Sequence, residues 1–168
     1  GMDETPKTGP DKVFDATPYL SLFIDKDGRW FQNGVEIVHP LIYKQFNLML
    51  EKTSESEYQV RLGREICRVQ VEDAPFVVQR VTEQDEGMLA LELNDGTIEP
   101  FSPERFWIGD ENVPYTEVKQ GAFHARFSRA AYYQIAQHIT WDDAEDRFYF
   151  SLGNDKIQVR TGPKTPVS

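Results

Sequence analysis

Glycine-containing turn dipeptides punctuate this chain at short intervals, and they limit most strands to a few residues. Asp27-Gly28 and Asn33-Gly34 are two of them, and each tolerates the positive φ angles that tight hairpin turns require. The segments between such turns alternate apolar and polar residues, most regularly over residues 64–72, which is typical of strands with one buried face. The sequence therefore predicts mainly antiparallel sheets built from hairpins.

Two segments have the periodicity of helices instead. The first begins at Pro40, a residue that is well tolerated in the first turn of a helix, and continues to about Thr53. Its apolar residues recur at i, i+4, i+7 and i+8: Ile42, Phe46, Met49 and Leu50. The second segment spans residues 128–139, with Ser128 as its N-cap and an apolar stripe along one side. The predicted fold class is α+β, with two helices.

The two helical segments stand in similar surroundings. A glycine and a short strand precede each helix, and a polar loop and a hairpin strand ending in Leu-Gly follow it. The offset between the copies drifts from 87 residues at the glycine pair, Gly34 and Gly121, to 90 residues at the pair Gly63 and Gly153. Unequal loop lengths after a duplication would give such a drift. We therefore expect two repeated strand–helix–hairpin units with mainly antiparallel sheets and one helix each.

This repeat hypothesis and the distribution of Pro, Gly and charged residues together predict the domain organisation. The chain ends are rich in Pro, Thr and charge and have little to bury, so we expect both to be flexible. The predicted parts are a flexible tail over 1–17, a first α+β repeat over 18–82, a connecting hairpin and loop region over 83–113, a second α+β repeat over 114–160 and a flexible tail over 161–168.

Composition narrows the classes of partner. The 28 acidic residues outnumber the 18 basic ones, and the resulting net charge of −10 repels nucleic-acid phosphates and anionic lipid. No uncharged apolar run approaches the ~18 residues of a membrane span. A lone cysteine, Cys67, and the lack of a secretory pattern after Met2 fit a reducing compartment. We expect a cytoplasmic protein that binds neither nucleic acid nor membrane.

Residues 25–36 can be interpreted either as a calcium loop or as strands joined by turns. Counted from Asp25, oxygen-bearing side chains fall at loop positions one, three, nine and twelve, as in a calcium-binding loop. However, Arg29 occupies position five, where a ligand is needed, and Gly28 stands at position four instead of six. The turn interpretation requires no such exception. We therefore expect a three-stranded meander here, and no metal site.

Other candidate chemical groups are weak. The acidic segment 142–146 lacks the glycine of a calcium loop, so we expect a solvated helix-to-strand loop whose like charges raise one another's pKa. The three histidines do not share the i, i+4 spacing of a zinc site. Cys67 alternates with valines in a strand, which predicts a buried apolar role rather than a nucleophile. The sequence predicts no catalytic residue, metal or cofactor.

Two segments combine polar and aromatic residues in a way that suits ligand binding. In residues 27–31, Arg29 and Phe31 should face opposite to Trp30. In residues 71–76, two carboxylates lie at a strand end before a rigid turn. They could hold a cationic or hydroxylated ligand, or they could form structural ion pairs and cap the turn. The candidate ligand-binding residues are Arg29, Trp30, Phe31, Arg64, Glu72 and Asp73.

These segments resemble the bacterial family called domain of unknown function 1285 (DUF1285). The resemblance rests on the hairpin Asp27–Gly34, the Leu-rich segment Leu41–Leu50, the sequence Val71-Glu72-Asp73-Ala74-Pro75-Phe76 and the pair Tyr132-Tyr133, in that order, and it spans about residues 20 to 160. His39 departs from the basic residue that tends to precede the helix in the family. The resemblance implies an α+β fold with repeated substructure and no established enzymatic activity. It also implies a ligand- or partner-binding role in signalling, as suggested for the family.

Three functional hypotheses follow. The first is a non-enzymatic binding module for an unknown small molecule or protein, with a groove between the two repeats and a role in signal transduction as its extension. The second is a hydrolase that uses Glu72 or Asp73 as general base in such a cleft. The third is an adaptor whose exposed strand edges pair with a partner chain.

Overall fold

The computed structural model describes residues 12–164. The chain divides into two compact units, residues 1–73 and residues 74–168, and each is described by itself. Strands dominate the described residues, and two α-helices accompany them. The α+β class predicted from the sequence is confirmed. Among the described residues, neither helix has the length and apolar character needed to cross a membrane.

The first unit is one mixed sheet with one helix. Its elements are β1 Phe14–Asp15, β2 Leu22–Ile24, β3 Trp30–Gln32, β4 Val35–Glu36, α1 Pro40–Met49, β5 Leu50–Ser54, β6 Glu57–Leu62 and β7 Glu65–Val71. The strand order is β4-β3-β2-β7-β6-β5, and β1 also pairs with β7. β1 and β2 run parallel to β7, whereas the remaining pairs are antiparallel. The parallel pairs were not foreseen, because they join segments far apart in sequence.

Helix α1 begins at Pro40, as predicted, but ends at Met49, four residues before the predicted end. Leu50 adopts extended backbone with φ −67° and ψ 133°, and its buried side chain opens β5. Leu50 therefore contributes to the core through the sheet and not through the helical stripe. The buried helical residue is Asn47, and Ile42 of the predicted stripe is exposed.

The second unit has a seven-stranded sheet, a helix and a three-stranded sheet. Its elements are β8 Phe76–Asp85, β9 Met88–Leu93, β10 Ile98–Pro100, β11 Phe106–Ile108, β12 Pro114–Val118, β13 Phe123–Phe127, α2 Arg129–Ala136, β14 Ile139–Asp142, β15 Arg147–Leu152, β16 Asp155–Gln158 and β17 Arg160–Thr161. The larger sheet has the order β10-β9-β8-β13-β12-β11-β17, with parallel pairs β8–β13 and β11–β17. The smaller sheet, β14-β15-β16, is antiparallel.

Helix α2 is capped as predicted, because the Ser128 side chain accepts a hydrogen bond from the Ala131 amide at 3.1 Å. Ala131 and Ile135 are fully buried. The helix stops at Ala136, and Ile139, predicted to extend its stripe, lies in β14 instead. Four buried phenylalanines make edge-on contacts in the core of this unit: Phe101, Phe106, Phe127 and Phe150.

The observed boundaries differ from the predicted ones at several points. Residues 1–11 and 165–168 of the predicted tails lie outside the described residues. Within the predicted N-terminal tail, however, Phe14 donates its amide to the Arg64 carbonyl at 2.8 Å, and Ala16 is buried. Strand β17 likewise includes the first residue of the predicted C-terminal tail. The predicted limit at residue 82 falls inside β8, whereas the units separate at residues 73 and 74.

Candidate functional site

The turn between β2 and β3 contains the first of the predicted site residues. Asp25 is buried, and its Oδ1 accepts the amides of Asp27 at 3.0 Å and Arg29 at 2.8 Å. Its Oδ2 accepts Nε of Arg29 at 2.8 Å. Gly28 closes the turn with φ 82°. The meander interpretation of residues 25–36 is thus confirmed, and the Asp25 carboxylate serves the turn.

Trp30 and Phe31 lie on opposite faces of β3, as the alternation predicted. Trp30 is 1% exposed, and its indole Nε1 donates to Oδ1 of Asn47 at 3.1 Å. Its ring therefore belongs to the core of the first unit and offers no surface to a ligand, which corrects the interpretation of Trp30 as a ligand contact. Phe31 is half-buried and contacts its cross-strand partner Phe23, with ring centroids 5.9 Å apart.

The predicted carboxylates lie at the C-terminal end of β7. Glu72 is exposed, and its Oε1 accepts the Lys26 amide at 2.9 Å, so the structure brings Glu72 together with the turn that holds Arg29. Asp73 follows and is half-buried. Arg64 precedes the other end of β7, roughly 26 Å from Glu72 at the rise of an extended strand. The structure therefore does not unite Arg64 with the rest of the predicted site.

A pocket of about 670 Å³ lies in the first unit beside these residues. Phe23, Tyr58, Arg68 and Gln70 are among its lining residues, but none of the predicted site residues lines it. Burial, reinforced by the nearby Glu55 carboxylate, raises the pKa of the Tyr58 hydroxyl.

A second pocket, of about 610 Å³, lies in the second unit and contains more charge. Its lining residues are Thr97, Glu99, Pro100, Ser102, Arg105, Glu117, Lys119 and Gln120. None of them was predicted as a site residue. This group of residues is called the charged pocket below.

Lys119, which lines the charged pocket, belongs to an ion pair with a buried carboxylate. Lys119 Nζ lies 2.7 Å from Oδ2 of Asp95, whose side chain is fully buried. Oδ1 of Asp95 accepts the amide and the hydroxyl of Thr97 at 2.9 Å and 2.6 Å. Burial alone would raise the pKa of Asp95, but the hydrogen bonds from Lys119 and Thr97 outweigh it and hold that pKa below its ordinary value. Asp95 is therefore a fixed anion.

The hairpin loop between β12 and β13 forms another part of the wall. Lys119, Gln120 and Gly121 all have positive φ, at 55°, 60° and 87°. Such backbone is unfavourable for the two residues with side chains. The carboxylate of Glu99 accepts the Lys119 amide at 3.1 and 3.2 Å, and this contact together with the ion pair holds the loop in place.

Two further charges lie beside this loop. Arg105 immediately precedes β11, and the register Phe106↔Thr116 places it across from Glu117, which pairs with His124 in β13. A Cβ on Gly121 would lie 3.2 Å from a terminal nitrogen of Arg105 and 3.7 Å from a carboxylate oxygen of Glu117. The φ of 87° therefore favours glycine here, and a larger residue would also push the end of the Arg105 side chain aside.

Arg105 and Glu117 do not pair with each other. Within residues 12–164, neither side-chain charge has a hydrogen-bond or ion-pair partner, although both residues are half-buried. Lys119, by contrast, is committed to Asp95. The charged pocket thus presents one cation and one anion that remain available to a ligand.

Three weaker candidates have structural explanations. Cys67 is buried as predicted, its Sγ lies 3.1 Å from the Leu20 carbonyl, and burial raises its thiol pKa. The acidic segment 142–146 joins two strands rather than a helix and a strand. The pKa of Asp142 is lowered, contrary to the prediction, because Lys156 Nζ lies 2.6 Å from its carboxylate. In the described part of the chain, no three His, Cys, Asp or Glu side chains are grouped to hold a metal ion.

Comparison with solved structures identifies two similar folds. A DUF1285 family protein from Silicibacter pomeroyi DSS-3 has a TM-score of 0.69 at 20% identity, over 92% of this chain and 89% of that protein. A second DUF1285 family protein, from Shewanella baltica OS155, has a TM-score of 0.60 at 22% identity, over 72% of this chain and 94% of that protein. No protein-family model and no curated protein sequence matches the chain. The chain therefore has a DUF1285-like fold, as the resemblance of its motifs indicated.

Proposed function

We propose that the protein is a non-enzymatic binding module that holds a small polar molecule in the charged pocket of its second unit. The observation that carries this proposal is the half-buried Arg105, which lines the pocket and whose guanidinium has no hydrogen-bond or ion-pair partner among the described residues. Removing a charge from water is costly unless a partner replaces the water, so an anionic group of a ligand would gain from binding there.

The pocket is also preorganised. Asp95, Lys119 and Glu99 fix the hairpin loop through hydrogen bonds of 2.7 to 3.2 Å before any ligand arrives. Gly121 lets the Arg105 side chain lie directly against this loop. Binding would therefore lose little conformational entropy in the protein, so a ligand with a modest contact area could still bind with useful affinity.

The hydrolase alternative has less support. A general base must be able to take a proton from a substrate or from water. Oε1 of Glu72 already accepts the Lys26 amide at 2.9 Å and stabilises the end of the β2–β3 turn. If Glu72 is occupied in this way, Asp73 would have to serve as the general base without help from the Glu72 carboxylate.

We also propose that the two units derive from a duplication. Helix α1 is followed by the antiparallel strands β5, β6 and β7, and helix α2 by the antiparallel strands β14, β15 and β16. This shared order supports the proposal. The exposed residues Arg29, Arg64 and Glu72 of the first unit, with Phe31 and Asp73, remain proposed contacts for a protein partner, and signal transduction and a cytoplasmic location remain part of the proposal.

A thermal-shift screen with a panel of cytoplasmic metabolites tests the binding function. At a hundred times its Kd a ligand adds about 2.7 kcal/mol to the free energy of unfolding, which raises Tm by roughly 5–10 °C. The shift should vanish in Arg105→Ala and persist in Arg80→Ala. Arg80 is a matched control because its side chain is 63% exposed on β8. A panel in which no compound raises Tm, or a shift that Arg105→Ala retains, contradicts the proposal.

A further inference from the structure

The charges available in the charged pocket are of opposite sign and adjacent. A terminal nitrogen of Arg105 and a carboxylate oxygen of Glu117 lie 3.2 Å and 3.7 Å from the same point, the position that a Cβ of residue 121 would take. They nevertheless form no ion pair, and within the described residues neither has another partner. Lys119, in contrast, is neutralised by Asp95, and the carboxylate of Glu99 accepts the Lys119 amide.

This arrangement selects among classes of ligand. A simple anion would satisfy Arg105 but would meet the carboxylates of Glu117 and Glu99. A simple cation would satisfy Glu117 and be repelled by Arg105. A molecule that carries both charges a few ångströms apart satisfies both residues, and each of its charges reduces the desolvation cost of its protein partner.

We infer that the charged pocket binds a free amino acid, whose carboxylate accepts hydrogen bonds from Arg105 and whose ammonium group donates to Glu117. The planar guanidinium suits a carboxylate because it can donate two parallel N–H bonds. Ser102 and Gln120 in the lining provide further polar groups for the bound molecule. This inference rests on the proposed binding function and names its ligand class.

Isothermal titration calorimetry with each of the twenty L-amino acids at millimolar concentration tests the inference. The best-binding amino acid is then compared with two analogues, the amine that lacks its carboxylate and the acid that lacks its ammonium group. Each analogue should bind at least about tenfold more weakly, since each loses a charge-assisted hydrogen bond. Arg105→Gln and Glu117→Gln should each weaken binding of the amino acid by at least about tenfold, whereas Arg80→Gln should leave its Kd unchanged.

Circular dichroism and the Tm of each ligand-free variant establish whether it folds. If a variant does not fold, the analogue series on the unaltered protein tests the inference instead. An amino acid that binds no more tightly than its two analogues overturns the inference. If no amino acid binds but another metabolite raises Tm in an Arg105-dependent way, the ligand class is wrong and the proposed function stands. If no compound binds, both the ligand class and the proposed binding function are wrong.

Discussion

Two aspartates at glycine turns, Asp25 in the first unit and Asp95 in the second, are both buried but are bonded in different ways. The carboxylate of Asp25 accepts hydrogen bonds from residues 27 and 29 of its own turn. Asp95 bonds Thr97 in its own turn, but its second oxygen binds Lys119, 24 residues later in the chain. A buried aspartate at a glycine turn therefore stabilises a self-contained turn in one unit and links two hairpins in the other.

This difference shows where a binding site can arise. A carboxylate that is satisfied within its turn fixes the path of four or five residues and nothing beyond. A carboxylate that binds a distant lysine holds two loops at a fixed separation, and the space between such loops becomes a preorganised pocket. The polar-aromatic segment around Asp25 thus forms a scaffold, whereas the less conspicuous segment around Asp95 borders the charged pocket.

The largest expected effect is that of Asp95→Ala. The substitution removes the partner of Lys119, whose side chain is only 24% exposed, and leaves the Thr97 amide and hydroxyl without their acceptor. We expect a loss of about 3 kcal/mol in the free energy of unfolding, measured by urea denaturation. The charged pocket should also lose its ligand, and a variant that unfolds at the same urea concentration as the parent would contradict the linking role of Asp95.

Asp25→Ala should have a smaller effect. The turn loses two backbone hydrogen bonds and one ion pair, but the Arg29 side chain is 55% exposed and can return to water. A cost of about 1–2 kcal/mol in urea denaturation follows from these bonds. Ligand binding by the second unit should be unchanged, and a loss of binding would show that the first turn is more than a scaffold.

The contribution of Asp95 to the free energy of unfolding should depend on pH. Its folded pKa lies below the ordinary value, chiefly because the hydrogen bonds from Lys119 and Thr97 outweigh burial. Protonation therefore favours the unfolded chain, so the contribution of Asp95 is fully present above about pH 4 and is lost as the pH falls through its folded pKa. Urea denaturation at pH 7 and pH 3 should show a larger loss of stability in the parent than in Asp95→Asn. An equal loss in both proteins would contradict the lowered pKa.

Local rules were sufficient for much of the fold. The turns at Gly28 and Gly34, the hairpin of β6 and β7 and the Ser128 cap each depend on a few adjacent residues, and each is confirmed. The end of α1 was predicted four residues too late, because packing of Leu50 in the sheet, and not the local sequence, ends the helix. Leu50 continues the helical stripe in sequence, but its burial in β5 requires extended backbone.

The charged pocket could not be predicted for the same reason. Asp95 and Lys119 each resemble ordinary turn residues, and nothing in either segment indicates that they meet. Arg105 and Glu117 become neighbours only through the register of β11 and β12 and through the space left by Gly121. Trp30 illustrates the opposite error, since an aromatic residue next to a polar turn is buried by the unit that forms around it.

The smallest expected effect on stability is that of removing Arg29, the cationic partner of Asp25, and it is compared with removal of Lys119, the partner of Asp95. Arg29→Ala removes an exposed partner from Asp25 and leaves the two amide hydrogen bonds of that carboxylate intact, so we expect only a small loss of stability in urea denaturation. Lys119→Ala removes the partner of a fully buried carboxylate and should cost clearly more than Arg29→Ala in the same measurement. Raising the salt concentration to 1 M should shrink the Arg29 effect further, because exposed charges are screened, and should change the Lys119 effect less. Equal costs for the two substitutions would mean that the distant ion pair holds its loops no more firmly than a surface contact does.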